Sequence, residues 1–169
     1  MPIHRLNHAV LYVKDAARSA AFYSEALGFR KVAEMPGAVF MQAAGSTNDH
    51  DLGLFQVGDS AGPSEAGRRT VGLYHLAWEV DTLEELDRMQ GVLAESGALV
   101  GASDHGTTKA LYGRDPDGLE FEVSWLVPPE LIDDDTLKAK ASIRPLDLAT
   151  EKERYGALTR GGVGVSISA

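Results

Sequence analysis

At 169 residues, with 44% hydrophobic and 24% charged residues, the chain has the length and composition of one well-buried globular domain, since two would each be short of core. Its formal charge of -9 and pI near 4.9 argue against a nucleic-acid partner, because polyanion binders present basic surfaces, and no apolar run nears the roughly 20 residues a membrane span needs. Zero cysteines exclude disulfides, thiolate metal sites and cysteine nucleophiles, so a bound metal must take imidazole or carboxylate ligands. The opening MPIHRLNHAVLYV lacks the regions of a secretory signal, so a cytoplasmic protein acting on a small molecule is the expectation. The first strand candidate is LNHAVLYV, Leu6 to Val13. An Asp15-headed segment follows, with apolar residues at helical spacing, and ends at Gly28. Three short strand-like runs come next, FRKVAEM, AVFMQAA and HDLGLFQV, separated by Pro36-Gly37 and by GSTND.

After a looser stretch rich in Gly, Ser and Pro (58 to 67), the same order returns. LYHLAWEV reads as a strand, TLEELDRMQGVLAESG as a helix, and ALVGASD, KALYGRD and LEFEVSW as strands. Leu6-x-His8-Ala9 and Leu73-x-His75-Leu76 open the two halves, and each leads through an Asp-headed turn (Asp15, Asp81) into a helix ending at glycine (Gly28, Gly97). The expected fold class is α+β: paired βαβββ modules, about 4–57 and 71–126, forming a cleft-shaped mixed sheet within one domain spanning 1–127. Histidines on the two opening strands would converge in that cleft.

Residues 128–169 read as a C-terminal extension. Pro128-Pro129 breaks the strand pattern, Asp133-Asp134-Asp135 reads as a solvated acidic run, and TEKERYGAL as a short helix closed by Gly161 and packed outside the sheet, before a frayed end.

Four of the five histidines, His8, His50, His75 and His105, sit inside or at the edge of strand-like runs. Singly, each is more often a hydrogen-bonded structural histidine. His8 and His75, at equivalent positions of two repeats in a cysteine-free chain, make a better case as a ligand pair. A third ligand would be a carboxylate on a late strand, and LEFEVSW offers Glu120 and Glu122 on one face, with Phe121, Val123 and Trp125 on the other. Spacing alone does not choose between the two glutamates. Trp78, Phe40, Phe55 and Trp125 are candidates to line a cleft, although strand aromatics are more often core.

Taken together, LNHAVLYVKD, LYHLAWEV and GRDPDGLEFEV resemble the vicinal oxygen chelate superfamily, which includes glyoxalases, fosfomycin-resistance enzymes and extradiol dioxygenases. The resemblance spans roughly residues 4 to 126 and implies paired βαβββ units around a divalent metal. It places the carboxylate ligand four residues beyond the last glycine of DPDG, which from Gly118 is Glu122. The implied ligand set is His8, His75 and Glu122, two imidazoles and a carboxylate that leave neighbouring positions open, the arrangement associated with non-heme Fe(II) oxygenases. Four-ligand glyoxalase I would need a further carboxylate at the repeat position of Glu122. That position falls on Phe55, and its neighbours Leu54 and Gln56 supply none.

His50-Asp51 at the head of a strand resembles the histidine next to the metal in extradiol dioxygenases. Asp104-His105-Gly106 followed by Leu111-Tyr112 and DPDG resembles their substrate-side histidine and tyrosine. The resemblance therefore implies an Fe(II) enzyme that opens a small aromatic diol with O₂, with His50, His105 and Tyr112 as catalytic groups. Mn(II) is the alternative metal. Ni(II) or Zn(II) would accompany the competing reading, isomerisation of a thiol adduct or thiol transfer to an antibiotic, which needs no His50. A metal-free drug- or metabolite-binding protein is a third reading, and an intact triad counts against it. A homo-oligomer is compatible with the sequence.

Overall fold

The computed structural model describes residues 2–3, 5–66 and 69–162. Two compact units emerge, Met1–Glu65 with Asp115–Leu119, and Ala66–Arg114 with Glu120–Ala169. The first contains β1 (Ala9–Val13), α1 (Ala16–Leu27), β2 (Arg30–Met35), β3 (Ala38–Gln42) and β4 (Leu52–Gln56). The second contains β5 (His75–Glu79), α2 (Leu83–Glu95), β6 (Leu99–Asp104), β7 (Thr108–Arg114) and β8 (Glu120–Leu126), then a 3-10 turn at Pro129–Leu131, α3 (Asp134–Ala139) and α4 (Leu148–Tyr155). Each unit is βαβββ and each builds a four-stranded mixed sheet of the same order, β1-β4-β3-β2 and β5-β8-β7-β6. The opening strand runs parallel to the fourth and the other pairs are antiparallel. Even the irregularities match: the edge strand of each sheet carries a bulge, between Lys31 and Ala33 and between Leu99 and Gly101. The expected α+β class is the observed one.

Alternation along the strands decides which face each helix covers. In the first unit Leu11, Val13, Val39, Met41, Leu52 and Leu54 are buried beneath α1, whose Ala20, Tyr23 and Leu27 close that core. In the second, Leu111, Phe121, Val123 and Trp125 are buried beneath α2 with Leu83, Leu86 and Leu93. The intervening residues, among them Val10, Tyr12 and Phe40 in one sheet and Ala77, Tyr112 and Glu122 in the other, occupy the opposite face. No helix among the described residues is long and apolar enough to cross a membrane.

The helix ends follow local chemistry, with two adjustments. Asp15 caps α1 through Arg18 N, and Gly28 ends it in the left-handed conformation at φ 73°. For α2 the cap is Thr82, accepting from Glu85 N, and not Asp81, because an N-cap side chain must reach back to the N3 amide. Farther on, α4 ends at Gly156, not Gly161, and α2 is the helix it packs against. Asp133 is no free surface charge either: it caps α3 and pairs with Arg154 at 2.9 Å. The expectation of a fraying end falls largely on residues 163–169, outside the described residues.

The turn between β7 and β8 is knotted by Asp115, whose Oδ1 accepts from Asp117 N and Leu119 N, both at 2.9 Å, while Oδ2 accepts from Tyr23 OH at 3.3 Å. Burial is the main reason the Asp115 carboxyl is pushed up, and burial with the nearby Asp115 charge pushes the Tyr23 phenol up as well. Asp117 in turn takes Lys14 N at 2.8 Å and the Arg18 guanidinium. Asp115→Ala leaves buried amides without acceptors and is expected to cost about 1–3 kcal/mol, read as a lower urea midpoint. An unchanged midpoint would mean the turn is held by Asp117 alone.

Candidate functional site

The second unit gathers five polar side chains on the face of its sheet away from α2. His75 opens β5, and its Nε2 stands 3.4 Å from Glu122 Oε2. Glu122 lies directly across from Tyr112 on β7. The Tyr112 hydroxyl is 3.0 Å from His105 Nε2 and 3.3 Å from Ser103 Oγ, and Ser103 Oγ is 2.8 Å from His105 Nε2. These contacts run in one chain from His75 to His105.

Each position has a local cause. In the β7–β8 register Arg114 faces Glu120 and Tyr112 faces Glu122. Arg114 takes Glu120 as a partner at 2.7 Å, so the two same-face glutamates differ: Glu120 is paired at the strand end, and Glu122 is left facing imidazole. His75 Nδ1 is buried with no hydrogen-bond partner among the described residues. The ring is held by its neighbours, Tyr74 at 4.6 Å and Tyr112 at 6.0 Å between centroids. Burial is the largest influence on Tyr112; with the Glu122 carboxylate beside it, it outweighs the Ser103 bond and holds the phenol above its ordinary value. Tyr112 is therefore a neutral hydrogen-bond donor across the physiological range.

The first unit carries the other two predicted histidines. His8 is exposed and immediately precedes β1, and His50 lies two residues before β4. Because Ala9 pairs with Leu52 and its amide donates to Asp51 O at 2.9 Å, the two histidines flank the same end of a parallel pair, and their rings stand 4.4 Å apart. His8 Nδ1 contacts Asn7 Oδ1 at 2.8 Å, His50 Nδ1 contacts Asp49 Oδ2 at 3.0 Å, and Phe40 stands edge-on to His50 at 5.2 Å. The loop holding His50 is shaped by Asp51, which accepts from Ala43 N, Ser46 Oγ and Asn48 Nδ2.

Within neither unit do three or more His, Asp or Glu side chains gather as a metal site among the described residues; the second unit supplies a pair. That pair fits a divalent ion. Two donors at about 2.1 Å from one ion, set between a right angle and a tetrahedral angle, stand roughly 3.0–3.4 Å apart, which is the His75–Glu122 spacing. Imidazole and carboxylate donors suit Fe, Mn, Ni or Zn.

Ser103 was not singled out by the sequence, and its signal was parity. It sits two residues before His105 on the same face, directly across from Ala110, which shares a face with Tyr112. Of the four strand aromatics considered for the cleft, Trp125 is fully buried and donates to Thr159 O, so it belongs to the core.

A model of the Glyoxalase/Bleomycin resistance protein/Dioxygenase superfamily matches residues 5–123. Biphenyl-2,3-diol 1,2-dioxygenase 3 of Rhodococcus globerulus is 32% identical over 129 residues, which is 75% of this chain and 66% of that protein. Catechol-2,3-dioxygenase of Bacillus subtilis is 30% identical over 118 residues, 70% of this chain and 40% of that protein. The chain thus spans less than two thirds of the length of these curated relatives. A crystal structure of lactoylglutathione lyase from Agrobacterium tumefaciens shares the fold at a TM-score of 0.55 and 23% identity, covering 73% of this chain and 95% of that one.

Proposed function

The chain belongs to the glyoxalase, bleomycin resistance protein and dioxygenase superfamily, and from that premise we propose that it is a metal-dependent extradiol dioxygenase acting on a small catechol-type diol with O₂. The observation that carries this reading is the single chain of contacts in the second unit, a two-donor metal edge (His75, Glu122) adjoining two groups able to handle protons (Tyr112, His105). An isomerase moves a proton between carbons and would use such groups as well, so the choice of reaction rests on the relatives. The similarity to a biphenyl-2,3-diol 1,2-dioxygenase and a catechol-2,3-dioxygenase supports the dioxygenase.

In this reading His75 and Glu122 hold the metal, with His8 as the further ligand that the sequence resemblance implies, and Fe(II) is the metal proposed. Bound there, the metal would supply Lewis-acid and redox chemistry toward the diol and O₂. The chain's own groups do the rest. Neutral Tyr112 donates a hydrogen bond to a diol oxygen and fixes the ring's orientation. His105 Nε2, shared between Ser103 and Tyr112, receives a hydroxyl proton as the diol ionises and returns it to product oxygen. The sequence resemblance adds His50, whose Nδ1 faces Asp49, as a further proton-handling group. Ring opening beside the diol places both atoms of O₂ in the product.

The test is anaerobic loading with Fe(II), addition of a catechol panel, and admission of air. Oxygen uptake matched by a coloured ring-opened product is expected. Stoichiometric iron without uptake on any catechol would overturn the proposal, and turnover of a thiol adduct by the Ni(II) or Zn(II) form would replace it.

A further inference from the structure

Lys109 is the oddity of the second unit. Its side chain is 0% exposed, on a strand whose other residues on that face, Leu111 and Gly113, are buried against the core. A buried ammonium is costly unless it is paired. Here it has two carboxylates, Asp104 Oδ1 at 2.6 Å and Glu151 Oε2 at 2.9 Å, and Arg144 reaches Asp104 Oδ2 at 3.1 Å. Two cations and two anions make the cluster neutral. Replacing such a cluster by apolar side chains is often neutral or even stabilising, so stability alone does not account for it; what ion pairs add is a defined geometry.

The geometry they define is that of the turn His105–Thr107. Asp104 and Lys109 face each other across the end of the β6–β7 hairpin. Asp104 also accepts from Gly106 N at 2.8 Å. Burial by itself would raise the Asp104 carboxyl, yet the Lys109 bond, the Gly106 amide and the Lys109 and Arg144 charges together hold it below its ordinary value. Asp104 and Arg144 exchange two backbone hydrogen bonds, 2.8 and 3.0 Å, which adds a piece of the C-terminal extension alongside β6. On the turn itself, Gly106 has φ +77° and lies so close to α3 that a methyl there would meet Thr136 O, Lys140 N (2.7 Å) and Ala139 C (3.0 Å). Tyr155 of α4 lies over the cluster, 5.5 Å from Lys109 Nζ, and bonds Thr136 Oγ1 of α3 at 3.0 Å.

Because alternate residues of a strand face opposite ways, the cluster grips the backbone of 104–109 from one side while His105 and Ser103 project from the other. We propose that the extension acts as a clamp that sets where His105 stands: Lys109, Glu151 and Arg144 are positioning residues, working through Asp104 on the turn that carries His105. The clamp rests on the catalytic reading above only in the use made of His105; the positioning itself is independent of it.

The experiment uses the full-length protein and two readouts. The first is the ¹⁵N and ¹H signals of the His105 ring in the metal-free protein, which need no activity. The second is kcat and KM for a catechol after Fe(II) loading. Glu151→Gln removes a single charge at nearly constant side-chain size, and Arg144→Gln removes a single charge with a shorter side chain. Lys152→Gln is the control: it also sits on α4 but pairs outward with Asp87 at 2.5 Å and Glu84 at 3.3 Å. Both clamp variants are expected to shift the His105 ring signals and lower kcat by about 10–100-fold, as loss of an orienting partner does, with KM and metal content little changed. Lys152→Gln is expected to leave the signals in place at a comparable change in Tm. Parental His105 signals in Glu151→Gln and Arg144→Gln would overturn the clamp, whether or not any catechol is turned over. A shift of the same size in Lys152→Gln would overturn it too, by making the effect one of general stability. Shifted signals in the clamp variants of a protein that turns over no catechol would uphold the clamp and remove only its catalytic use.

Discussion

Glu122→Ala is expected to strip the protein of its metal and of ring cleavage, a loss beyond the ~10–100-fold that removing a mere orienting group brings, while Glu120→Ala keeps both near the parental level. The two glutamates share one face of β8, and what separates them is their neighbours. Glu120 stands across from Arg114 and is bound to it at 2.7 Å; Glu122 stands across from Tyr112 and faces His75 Nε2 at 3.4 Å. Cutting the Arg114 pair removes a half-exposed salt bridge, worth about 0–1 kcal/mol. Cutting Glu122 removes the one anionic donor of the proposed set and leaves imidazole alone, too weak a site to keep a divalent ion. Metal content after dialysis, with oxygen uptake on the best catechol, reads both variants. Full metal retention in Glu122→Ala would take it out of the ligand set, and metal loss in Glu120→Ala would exchange the two roles. Glu122→Gln is the milder version: the amide keeps the shape but not the charge, so the metal is expected to be held more weakly.

Much of the fold is legible in the sequence. The strands announced themselves by alternation and the helices by spacing, because each sheet has one face buried under a helix and each helix only one buried stripe. The repeat was legible too, down to the shared position of His8 and His75 at the head of the first strand in each unit. What a fixed offset could not carry was the pairing register. In the second unit Ala77 pairs with Glu122, and in the first Val10 pairs with Gly53. The residue answering to Glu122 is therefore Gly53, two positions before the expected Phe55. Loop lengths differ between the halves, and the offset drifts by the difference. The absence of a carboxylate there stands, since Gly53 has no side chain and is packed against Val10 and Phe55.

The tail was the least legible part, for a physical reason. Asp133, Arg144 and Glu151 look like ordinary solvated charges when read singly, and only their partners from far along the chain make them structural. One signal was present. Lys109 shares its strand face with Leu111 and Gly113, a face that the Leu-Tyr-Gly alternation marks as interior, and a lysine at an interior strand position calls for a carboxylate partner. Ser103 carried a similar signal of parity. Neither is a motif, so both are visible only once the sheet faces have been assigned.

Gly113→Ala is expected to destabilise the second unit by about 1–3 kcal/mol, the cost of overpacking a filled core. Gly113 lies directly across from Phe121, whose ring occupies the space a Cβ would need. An alanine methyl there would press on Cζ, Cε2 (2.7 Å) and Cε1 (3.0 Å) of the ring. Phe121 is 1% exposed and its neighbours Leu111, Val123 and Leu93 are as deeply buried, so the ring has nowhere to retreat. The pair immediately beside it, Tyr112 and Glu122, points to the other face. The lost stability should therefore leave metal content unchanged at temperatures where the protein stays folded, in contrast to Glu122→Ala. A second substitution makes the cause testable: Phe121→Leu removes the far ring atoms, and Gly113→Ala made in that background should cost clearly less than in the parent, a coupling of about 0.5 kcal/mol or more between touching residues. Denaturant midpoints of the four proteins give the coupling directly, and equal costs in the two backgrounds would show that the ring is not what holds this position to glycine.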